Sequence, residues 1–460
     1  MELSAGEIAK AAAGRVIAGA ETTRATSFVI DSRLARPGAC FFALRDVRDG
    51  HDYVRDAGER GARIAVVNRP VDAGATGLTV VEVDNPADAL AAIARVARAR
   101  LAGARVIGIT GSAGKTATKD LTAAALARTR TVHASPASYN NEAGVPLTLL
   151  GAPGGVDVVV AEMGARKVGN IAELAELAEP DVGVVTQIGL AHAESLGGRE
   201  GITRVKGELL EALPADGLAV LNADCDMTPA LASRTPARVL RAGRAEDADV
   251  RVSSVALDDE LRPRFHLDTP WGAVDVQLAL RGEHQVSNAA LAATVALALD
   301  VAPSEVGAGL ADATGAAHRM TLVRTPDGIV VLDDSYNSSP TSAAAAVRAF
   351  ALLRVPGRHV AVLGDMLELG AHGDAAHDTI GALTGEVGVD LLVAVGERRE
   401  QLAAGARRAR VTVVTAPNAE AAARAVADHV HPGDAVLVKA SRAVGLERVA
   451  EALTAREDAP

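Results

Sequence analysis

Short runs of β-branched residues alternate with stretches rich in Ala, Leu and Glu along most of the chain. The runs are almost continuously apolar, as expected for strands buried on both faces, and the stretches between them have helical periodicity. This alternation predicts an α/β fold in which helices cover largely parallel sheets. At roughly 150 residues per domain, the 460 residues suit three domains, which we place at 1–102, 103–314 and 315–460.

The three predicted domains differ in how strands and helices follow one another. The first holds short strands and ends in a helix expected at 86–101. The second opens with the strand 105–110, which runs directly into a glycine-containing turn, and it closes with an Ala-rich helix after Asn288. In the third, every strand but the last is followed by a helical stretch, and a hinge is expected before it at 312–315. We therefore predict a central P-loop-type ATPase domain and a C-terminal Rossmann-like domain.

Composition excludes some classes of function. The 58 acidic residues outnumber the 47 basic ones, the formal net charge is -11, and only 2% of residues are aromatic. Nonspecific nucleic-acid binding needs a basic surface and stacking rings, so no nucleic-acid partner is expected. No apolar run reaches the roughly 18 residues of a membrane span, and the first residues do not resemble a signal peptide. We expect a cytoplasmic monomer without membrane insertion.

Two residue types carry further information. Cys40 and Cys225 lie far apart and form no zinc-binding spacing, which fits a reducing compartment. Only six of the 47 basic residues are lysines. Because arginine serves wherever a generic positive charge suffices, a retained lysine indicates chemistry that needs a primary amine.

The turn after the first strand of the central domain has the composition of a phosphate-binding loop. Its glycines let the backbone approach phosphate oxygens, and the helix that follows supplies N-terminal amides. Ile109 stands where the GxxxxGK[ST] pattern needs its first glycine, so the match is to a shorter TGxxGKT form. A helix-capping turn is the alternative, but strand, glycines, Lys-Thr and helix in this order favour nucleoside triphosphate binding. The candidate residues are Gly111, Ser112, Ala113, Gly114, Lys115, Thr116 and Ala117.

Polar residues near other predicted strands are candidates to complete a metal site. Glu162 ends an apolar run, which places its carboxylate at the tip of a strand, where magnesium would join it to Thr116. His192 follows the next strand, and Lys206 lies at the predicted start of a helix. Ordinary surface roles stay open for both, as does turn stabilisation for the paired amides at 140–141.

Several motifs, read in order, resemble one enzyme family. GSAGKTATK, SYNNEAGVPLTLL, EMG, GLAHAESLGGREGI and VKGEL are similar to motifs of the Mur ligases of bacterial peptidoglycan synthesis. IDSRLARPGACFFAL, LDDSYNSSPTS, LGDMLELG and LVKASRAVGLE resemble the member that adds D-alanyl-D-alanine, and together the motifs span the whole chain. The resemblance implies an ATP-dependent ligase whose substrates are UDP-N-acetylmuramoyl-tripeptide and D-alanyl-D-alanine. The DNPR-type motif of the diaminopimelate-adding member is absent.

The resemblance also implies roles for individual residues, with ATP and two Mg²⁺ ions as cofactors. The expected catalytic residues are Lys115, Asn141, His192 and Lys206, the last in carbamylated form. The expected metal ligands are Thr116, Glu162, His192 and Lys206. Besides the loop, the nucleotide is expected to contact Asn288, Arg319, Asp334, Tyr336 and Asn337. Ser32, Arg33, Asp49, Gly50 and His51 match the segments that hold the UDP-sugar, and Ser441 and Arg442 are candidates for the acceptor pocket.

Some positions depart from the family pattern, and two alternatives stay open. Ser138 replaces the usual first Asn of an NxNN motif, and Gln285 replaces the Asn of a GxHN motif. One alternative is another ligase of the same mechanism, such as a diaminopimelate- or lysine-adding enzyme or a folylpolyglutamate synthase, which would differ only in its acceptor pocket. The other is a nucleotide-dependent switch that binds ATP without ligation.

Overall fold

A computed structural model describes residues 1–190 and 193–455 of the chain. Within these residues the strands form a two-stranded ribbon and sheets of five, nine and six strands. Helices lie between successive strands for most of the length, so the predicted α/β class is confirmed.

The N-terminal region is built on the five-stranded sheet. Its elements are β1 (Leu3–Ser4), α1 (Ala5–Ala11), β2 (Arg15–Ala18), β3 (Arg24–Ala25), β4 (Ser27–Val29), β5 (Ala39–Phe42), α2 (Val54–Glu59), β6 (Ile64–Val67), β7 (Thr79–Glu82) and α3 (Pro86–Arg100). The sheet order is β2-β7-β6-β5-β4, parallel except for the edge strand β2, and β1 pairs with β3. Helix α3 begins where predicted, because Asn85 caps it by accepting a hydrogen bond from the amide of Ala87 and Pro86 suits the first turn.

The middle region is built on the nine-stranded sheet. Its elements are β8 (Arg105–Thr110), α4 (Lys115–Ala127), β9 (Val132–Ala134), α5 (Gly144–Gly151), β10 (Val158–Glu162), α6 (Asn170–Ala178), β11 (Val182–Val185), α7 (Ala193–Leu196), α8 (Gly198–Glu211), β12 (Leu218–Asn222), α9 (Thr228–Ala232), β13 (Arg238–Gly243), β14 (Val250–Leu257), β15 (Pro263–Asp268), β16 (Val274–Gln277), α10 (Gln285–Ala298) and α11 (Pro303–Asp312). The order is β16-β15-β14-β13-β12-β11-β8-β10-β9, parallel from β9 to β14. Strand β8 lies between β10 and β11, so the chain reverses direction across the sheet there, and a crevice opens at such a point.

The C-terminal region is built on the six-stranded sheet. Its elements are β17 (Thr321–Arg324), β18 (Val330–Asp333), α12 (Pro340–Phe350), β19 (His359–Leu363), α13 (Gly373–Glu386), β20 (Leu391–Val395), α14 (Arg399–Arg408), β21 (Thr412–Ala416), α15 (Ala419–His429), β22 (Ala435–Lys439) and α16 (Glu447–Thr454). The order is β17-β18-β22-β19-β20-β21, and only the edge strand β17 is antiparallel. Two hydrophobic cores are built on alternate residues of the same strands, as in a doubly wound sheet.

Two local expectations were wrong, and four strands were not predicted. Helix α10 begins at Gln285, so Asn288 lies inside its first turn rather than before it. Lys206 lies in the middle of α8, because the helix already starts at Gly198. Strands β14, β15 and β16 escaped prediction because they largely alternate buried and less buried residues. Strand β17 escaped prediction because none of its four residues is buried, so it lacks the apolar run of a central strand.

The packing between the regions is uneven. Helix α3 packs against α5 and α6, and Leu90 and Ile93 belong to the same buried core as Leu149 and Leu150. The C-terminal cores are formed by C-terminal residues, apart from Leu261 of the middle region. No helix among the described residues is long and apolar enough to cross a bilayer.

Candidate active site

The loop after β8 has the form of a phosphate cradle. Gly111 and Gly114 have positive φ angles of 146° and 82°, and a Cβ on either would lie 2.0 Å from Thr186 Oγ1 or 2.4 Å from Asn288 Oδ1. Only glycine therefore fits, and the backbone stays open to a ligand. The ammonium of Lys115 folds back and donates to the Gly111 carbonyl at 2.9 Å. Burial lowers its pKa, and the positive charge of Arg319 lowers it further.

A carboxylate at the end of β10 meets the start of α4. Thr116 Oγ1 donates to Glu162 Oε2 at 2.8 Å, and Asn140 Nδ2 donates to Glu162 Oε1 at 2.8 Å. Glu162 is 1% exposed, so these contacts hold a buried carboxylate in one orientation. The neighbouring Asn141 does not reach Glu162 in this way; its side-chain oxygen accepts from the amide of Gly144 at 2.9 Å and stabilises the turn before α5.

Lys206 enters the same cleft from α8. Its side chain is 2% exposed and has no ion-pair partner among the described residues. Burial, followed by the charge of Lys115, lowers the pKa of Lys206 to about 7, against the opposing effect of Glu208. Glu208 is engaged elsewhere, since it accepts from the amides of Gly169 and Ala172 at 2.8 and 3.0 Å and so caps α6. His192, predicted as a metal ligand and catalytic residue, lies outside the described residues.

The N-terminal end of α10 forms another wall. Asn288 Nδ2 donates to Gln285 Oε1 at 2.8 Å, and Asn288 Oδ1 accepts from Thr118 at 3.3 Å. The Gln285 amide pairs with His284 Nε2 at 3.2 Å. The other ring nitrogen, Nδ1 of His284, is buried and has no hydrogen-bond partner among the described residues. The substitution of Gln for the usual Asn thus preserves a hydrogen-bonded amide here.

Four residues predicted to bind the nucleotide lie in the C-terminal region and line the same cleft as the start of α10. Arg319 lies over the ring of Tyr336, 4.2 Å from its centroid, and donates to Thr116 Oγ1 at 3.3 Å. Asp334 Oδ2 accepts from the buried ammonium of Lys439 at 2.6 Å, and the same ammonium donates to the carbonyl of Asn337 at 2.8 Å. Arg319 thus reaches the phosphate-loop helix across the boundary, and Asp334, Asn337 and Lys439 line the same cleft.

Ser441 and Arg442, also from the C-terminal region, line the same cleft. The Ser441 hydroxyl accepts from the amide of Leu367 at 2.9 Å and donates to the carbonyl of Ser338 at 3.3 Å. Arg442 is exposed, and its guanidinium lies 5.4 Å from the centroid of the Tyr336 ring. Arg442 has no acidic partner in the part of the chain that is described, so its charge is available to a ligand.

One cleft of about 880 Å³ connects these groups. It is lined by the predicted central and C-terminal residues Ser112, Ala113, Gly114, Lys115, Thr116, Ala117, Asn141, Glu162, Lys206, Asn288, Arg319, Asp334, Tyr336, Asn337, Ser441 and Arg442. Gly111, the first glycine of the loop, is buried and does not line the cleft.

The five residues predicted to hold a UDP-sugar do not line this cleft. Ser32 and Arg33 form a short turn capped by Asp31, whose carboxylate pairs with Arg33 at 2.6 Å. Asp49 caps the turn Gly50–Tyr53 and accepts from His51 Nδ1 at 2.6 Å. Hydrogen bonds from the backbone and ring of His51 lower the pKa of Asp49 to about 2.

ATP and magnesium fit the residues of the cleft. The glycine cradle and the first amides of α4 suit phosphate oxygens, and the unpartnered Nδ1 of His284 offers a further polar contact. A threonine hydroxyl beside a glutamate carboxylate, at Thr116 and Glu162, is the hard oxygen set that magnesium prefers.

Several residues of the site were missed from sequence. Thr186, at the end of β11, donates to the carbonyl of Ala113 at 2.5 Å and supports the loop. Lys119 and Ser135 join α4 to the segment before Asn140. The scarcity of lysine was the one signal available for Lys119, whereas nothing in the local sequence distinguishes Thr186 from an ordinary strand residue.

Comparison with known proteins agrees with this geometry. Residues 109–296 match the family profile described as Mur ligase middle domain, and residues 318–442 match that of Mur ligase, glutamate ligase domain. The chain is 41% identical to the UDP-N-acetylmuramoyl-tripeptide--D-alanyl-D-alanine ligase of Mycobacterium tuberculosis, over 99% of this chain and 98% of that protein. Its structure is similar to MurF from Acinetobacter baumannii (TM-score 0.87, 29% identity, 99% of each chain). It is also similar to the MurF ligase of Thermotoga maritima in complex with ADP (TM-score 0.76, 29% identity, 93% of this chain and 97% of that one).

The chain therefore belongs to the Mur ligase family, and it is an ATP-dependent, ADP-forming ligase. Within this family, the chain matches the Mycobacterium tuberculosis enzyme over 99% of its length. The name of that enzyme describes a ligase of UDP-N-acetylmuramoyl-tripeptide and D-alanyl-D-alanine.

Proposed function

We propose that this ligase joins UDP-N-acetylmuramoyl-tripeptide to D-alanyl-D-alanine and forms the UDP-linked pentapeptide. The observation that carries the proposal is the meeting of Lys115, Glu162 and Arg319 at one cleft between two regions of the chain. Such a cleft brings ATP and a second substrate together away from water. The names of the full-length relatives support the choice of substrates.

In the first step, the terminal carboxylate of the tripeptide attacks the γ-phosphorus of ATP. A bond forms from the carboxylate oxygen to phosphorus, the bond to ADP breaks, and an acyl phosphate results. Lys115 and Arg319 offset the negative charge that spreads over the transferring group. Lys115 gives up its contact with the Gly111 carbonyl to do so, a contact that holds the side chain at the loop beforehand.

In the second step, the amino group of D-alanyl-D-alanine attacks the acyl carbon. A tetrahedral intermediate forms, and the bond from carbon to the phosphate oxygen then breaks with its electron pair going to the leaving phosphate. The amine nitrogen passes its proton to that phosphate or to solvent as the amide forms. Ser441 and Arg442 are proposed to hold the acceptor, because an unpaired guanidinium suits the carboxylate at its far end. Asn141, at the loop that faces them, is proposed to orient the reacting groups.

Metal ions complete the proposed site. Thr116 and Glu162 would hold one Mg²⁺, and His192 with a carbamylated Lys206 would hold another. The ions supply charge neutralisation for the phosphoryl group when bound. A pKa of about 7 supports the carbamate, since the neutral amine of Lys206 reacts with carbon dioxide. Asn288 is proposed to contact adenine, Asp334 the ribose, and Tyr336 with Asn337 the adjoining surface.

The proposal also assigns a separate role to each of the three regions of the chain. Residues 1–102 would hold the UDP-sugar through Ser32, Arg33, Asp49, Gly50 and His51, residues 103–314 would bind ATP, and residues 315–460 would bring the acceptor. The capped turns at 31–34 and 49–53 support this role, because they hold the exposed Arg33 and the partly exposed Asp49 in fixed positions outside the cleft.

An acceptor panel tests the proposed function. Purified protein, ATP, Mg²⁺ and UDP-N-acetylmuramoyl-tripeptide are combined with D-alanyl-D-alanine, diaminopimelate, lysine or glutamate, and phosphate release is followed. Release should require D-alanyl-D-alanine and should yield the pentapeptide by mass. Preference for another acceptor would assign the protein to a different ligase activity, and ATP binding without acceptor-stimulated release would make it a switch.

A further inference from the structure

The search for groups that the mechanism leaves unused leads to Lys119, on the second turn of α4. Its side chain is 3% exposed, although a lysine ordinarily keeps its ammonium in water. The ammonium donates to the carbonyls of Ser135 and Ala137 at 2.7 and 3.0 Å, and it pairs with Asp120 at 2.9 Å. These contacts use the three N–H donors of an ammonium.

The segment that Lys119 contacts, residues 135–141, contains a strained residue. Ala137 has a φ of 45°, in the left-handed region that costs a residue with a Cβ on the order of 1 kcal/mol. Part of α5 supports the start of the segment, where Thr148 donates to the Ser135 hydroxyl at 3.0 Å. Backbone hydrogen bonds to Val160 and Gly164 hold the two ends of the segment on the side of β10. Lys119 donates to the carbonyls of Ser135 and Ala137 and so joins the strained part to the phosphate-loop helix.

The same segment touches Glu162 at two points. The Ser135 hydroxyl accepts from the backbone amide of Glu162 at 3.1 Å, and Asn140 donates to its side chain at 2.8 Å. Lys119 therefore connects α4, which carries Lys115 and Thr116, to the groups that orient the Glu162 carboxylate. Arginine at this position would place a larger planar group where three tetrahedral donors are needed.

We propose that Lys119 is a positioning residue for ligation: it clamps residues 135–141 so that Asn140 and Ser135 hold Glu162 in the orientation that binds Mg²⁺. The inference rests on the proposed function and deepens it. It assigns a task to a residue that touches neither nucleotide nor acceptor.

The test compares Lys119→Met, which keeps the length of the side chain but no donor, with Lys10→Met. Lys10 is an exposed lysine in the N-terminal region and serves as the matched control. In Lys119→Met we expect the Mg²⁺ concentration for half-maximal activity to rise at least about tenfold, with the KM for D-alanyl-D-alanine within about threefold of the parent. A general loss of folded protein would lower the maximal rate without this split.

A second readout needs no metal. Hydrogen exchange of the amides at 135–141, measured in metal-free protein, should become at least about tenfold faster in Lys119→Met and stay unchanged in Lys10→Met. Asn140→Ala should also cost at least about tenfold in rate in the parent but less than about threefold in Lys119→Met, because both changes remove the same support. If Lys119→Met does not fold, Lys119→Gln is measured instead. Its amide keeps two N–H donors in place of three and carries no charge, so values between those of the parent and of a variant without donors are expected.

Unchanged Mg²⁺ dependence, unchanged exchange at 135–141, or strictly additive effects with Asn140→Ala would each overturn the positioning role. Failure of the proposed function is distinguishable, because it would appear in the parent protein as phosphate release that does not depend on D-alanyl-D-alanine.

Discussion

The two boundaries between the three regions of this protein are built differently. Between the N-terminal and middle regions, α3 lies against α5 and α6, and apolar residues from both regions form one buried core. Polar contacts reinforce it: the guanidinium of Arg98 donates to the carbonyls of Ala178 and Glu179 at 2.8 and 3.2 Å. Separating these regions would expose a large apolar surface to water, which is unfavourable.

The boundary between the middle and C-terminal regions is mostly polar. Arg319 contacts Thr116, the hydroxyls of Ser138 and Tyr336 hydrogen-bond, and Leu261 is the middle-region residue in the C-terminal core. Water can replace such contacts at little cost, whereas it cannot replace an apolar core. We infer that the first two regions move as one body and that the third opens and closes over the cleft, so stability resides at one boundary and chemistry at the other.

A large effect is expected from Lys115→Ala, at the polar boundary. The change removes the cation that faces the transferring phosphoryl group, so acceptor-dependent phosphate release should fall by about 10²–10³-fold. Burial of its charge gives Lys115 no stabilising role, and the midpoint of thermal unfolding should not fall. Turnover at the parental rate would contradict the assignment of the loop, and a large loss of stability would contradict the contrast between the boundaries.

Ile93→Ala, at the apolar boundary, should lower the stability of the protein and leave its activity almost unchanged. Ile93 is fully buried in the shared core, so truncation should cost about 2–5 kcal/mol of unfolding free energy in denaturant titrations. Activity per folded molecule should stay within about twofold of the parent, because no residue of α3 lines the cleft. Leu352→Ala removes an apolar side chain that is 57% exposed and should cost less than about 0.5 kcal/mol.

A smaller effect is expected from pH, through Lys206 on the middle side of the cleft. Its folded pKa of about 7 lies below the ordinary 10.5, so the amine becomes neutral above pH 7 and can form a carbamate. At a fixed concentration of bicarbonate, activity should fall as pH is lowered from 8 to 6. At pH 8, removal of carbon dioxide should lower the activity, and added bicarbonate should restore most of it. The unfolded chain binds the proton up to pH 10.5, so this group also makes stability rise with pH above 7.

The variant Lys206→Ala tests the carbamate directly, because it removes the amine on which the carbamate would form. It should abolish ligation, with partial rescue by a short-chain carboxylic acid, and it should remove the contribution of this amine to the pH dependence of stability. Ligation at the parental rate in the variant, or activity indifferent to carbon dioxide in the parent, would exclude the carbamate.

The smallest effect is expected from Tyr336→Phe. The change removes the hydroxyl that meets Ser138 across the polar boundary but keeps the ring on which Arg319 lies. The rate should fall by about two- to fivefold with unfolding free energy unchanged within about 0.5 kcal/mol. Tyr336→Ala, which also removes the ring, should cost more; equal effects of the two variants would show that the hydroxyl carries the whole contribution.

Sequence predicted the central parts of the fold and of the site better than their edges. Apolar strands such as β8 and β10 are read directly from their composition, and the residues at their C-terminal ends fall together because parallel strands share an edge. Strands β15 and β16, at one end of the nine-stranded sheet, alternate buried and more exposed residues, so no continuous apolar run marks them.

The supporting residues of the site were harder to predict than the reacting ones. Lys115 and Glu162 stand in recognisable motifs, but Thr186 and Ser135 act through contacts between segments distant in sequence. The shared core of α3 and α5 was also missed, because helical periodicity predicts an apolar face without saying which neighbour covers it.

The central claim is that one cleft at the polar boundary couples ATP hydrolysis to amide formation with D-alanyl-D-alanine. The most direct measurement is phosphate release with ATP, Mg²⁺ and UDP-N-acetylmuramoyl-tripeptide, with and without the dipeptide, alongside the mass of the product. The account predicts release that requires the dipeptide and yields one pentapeptide for each phosphate. Release that is independent of the dipeptide, or dipeptide addition without phosphate release, would contradict it.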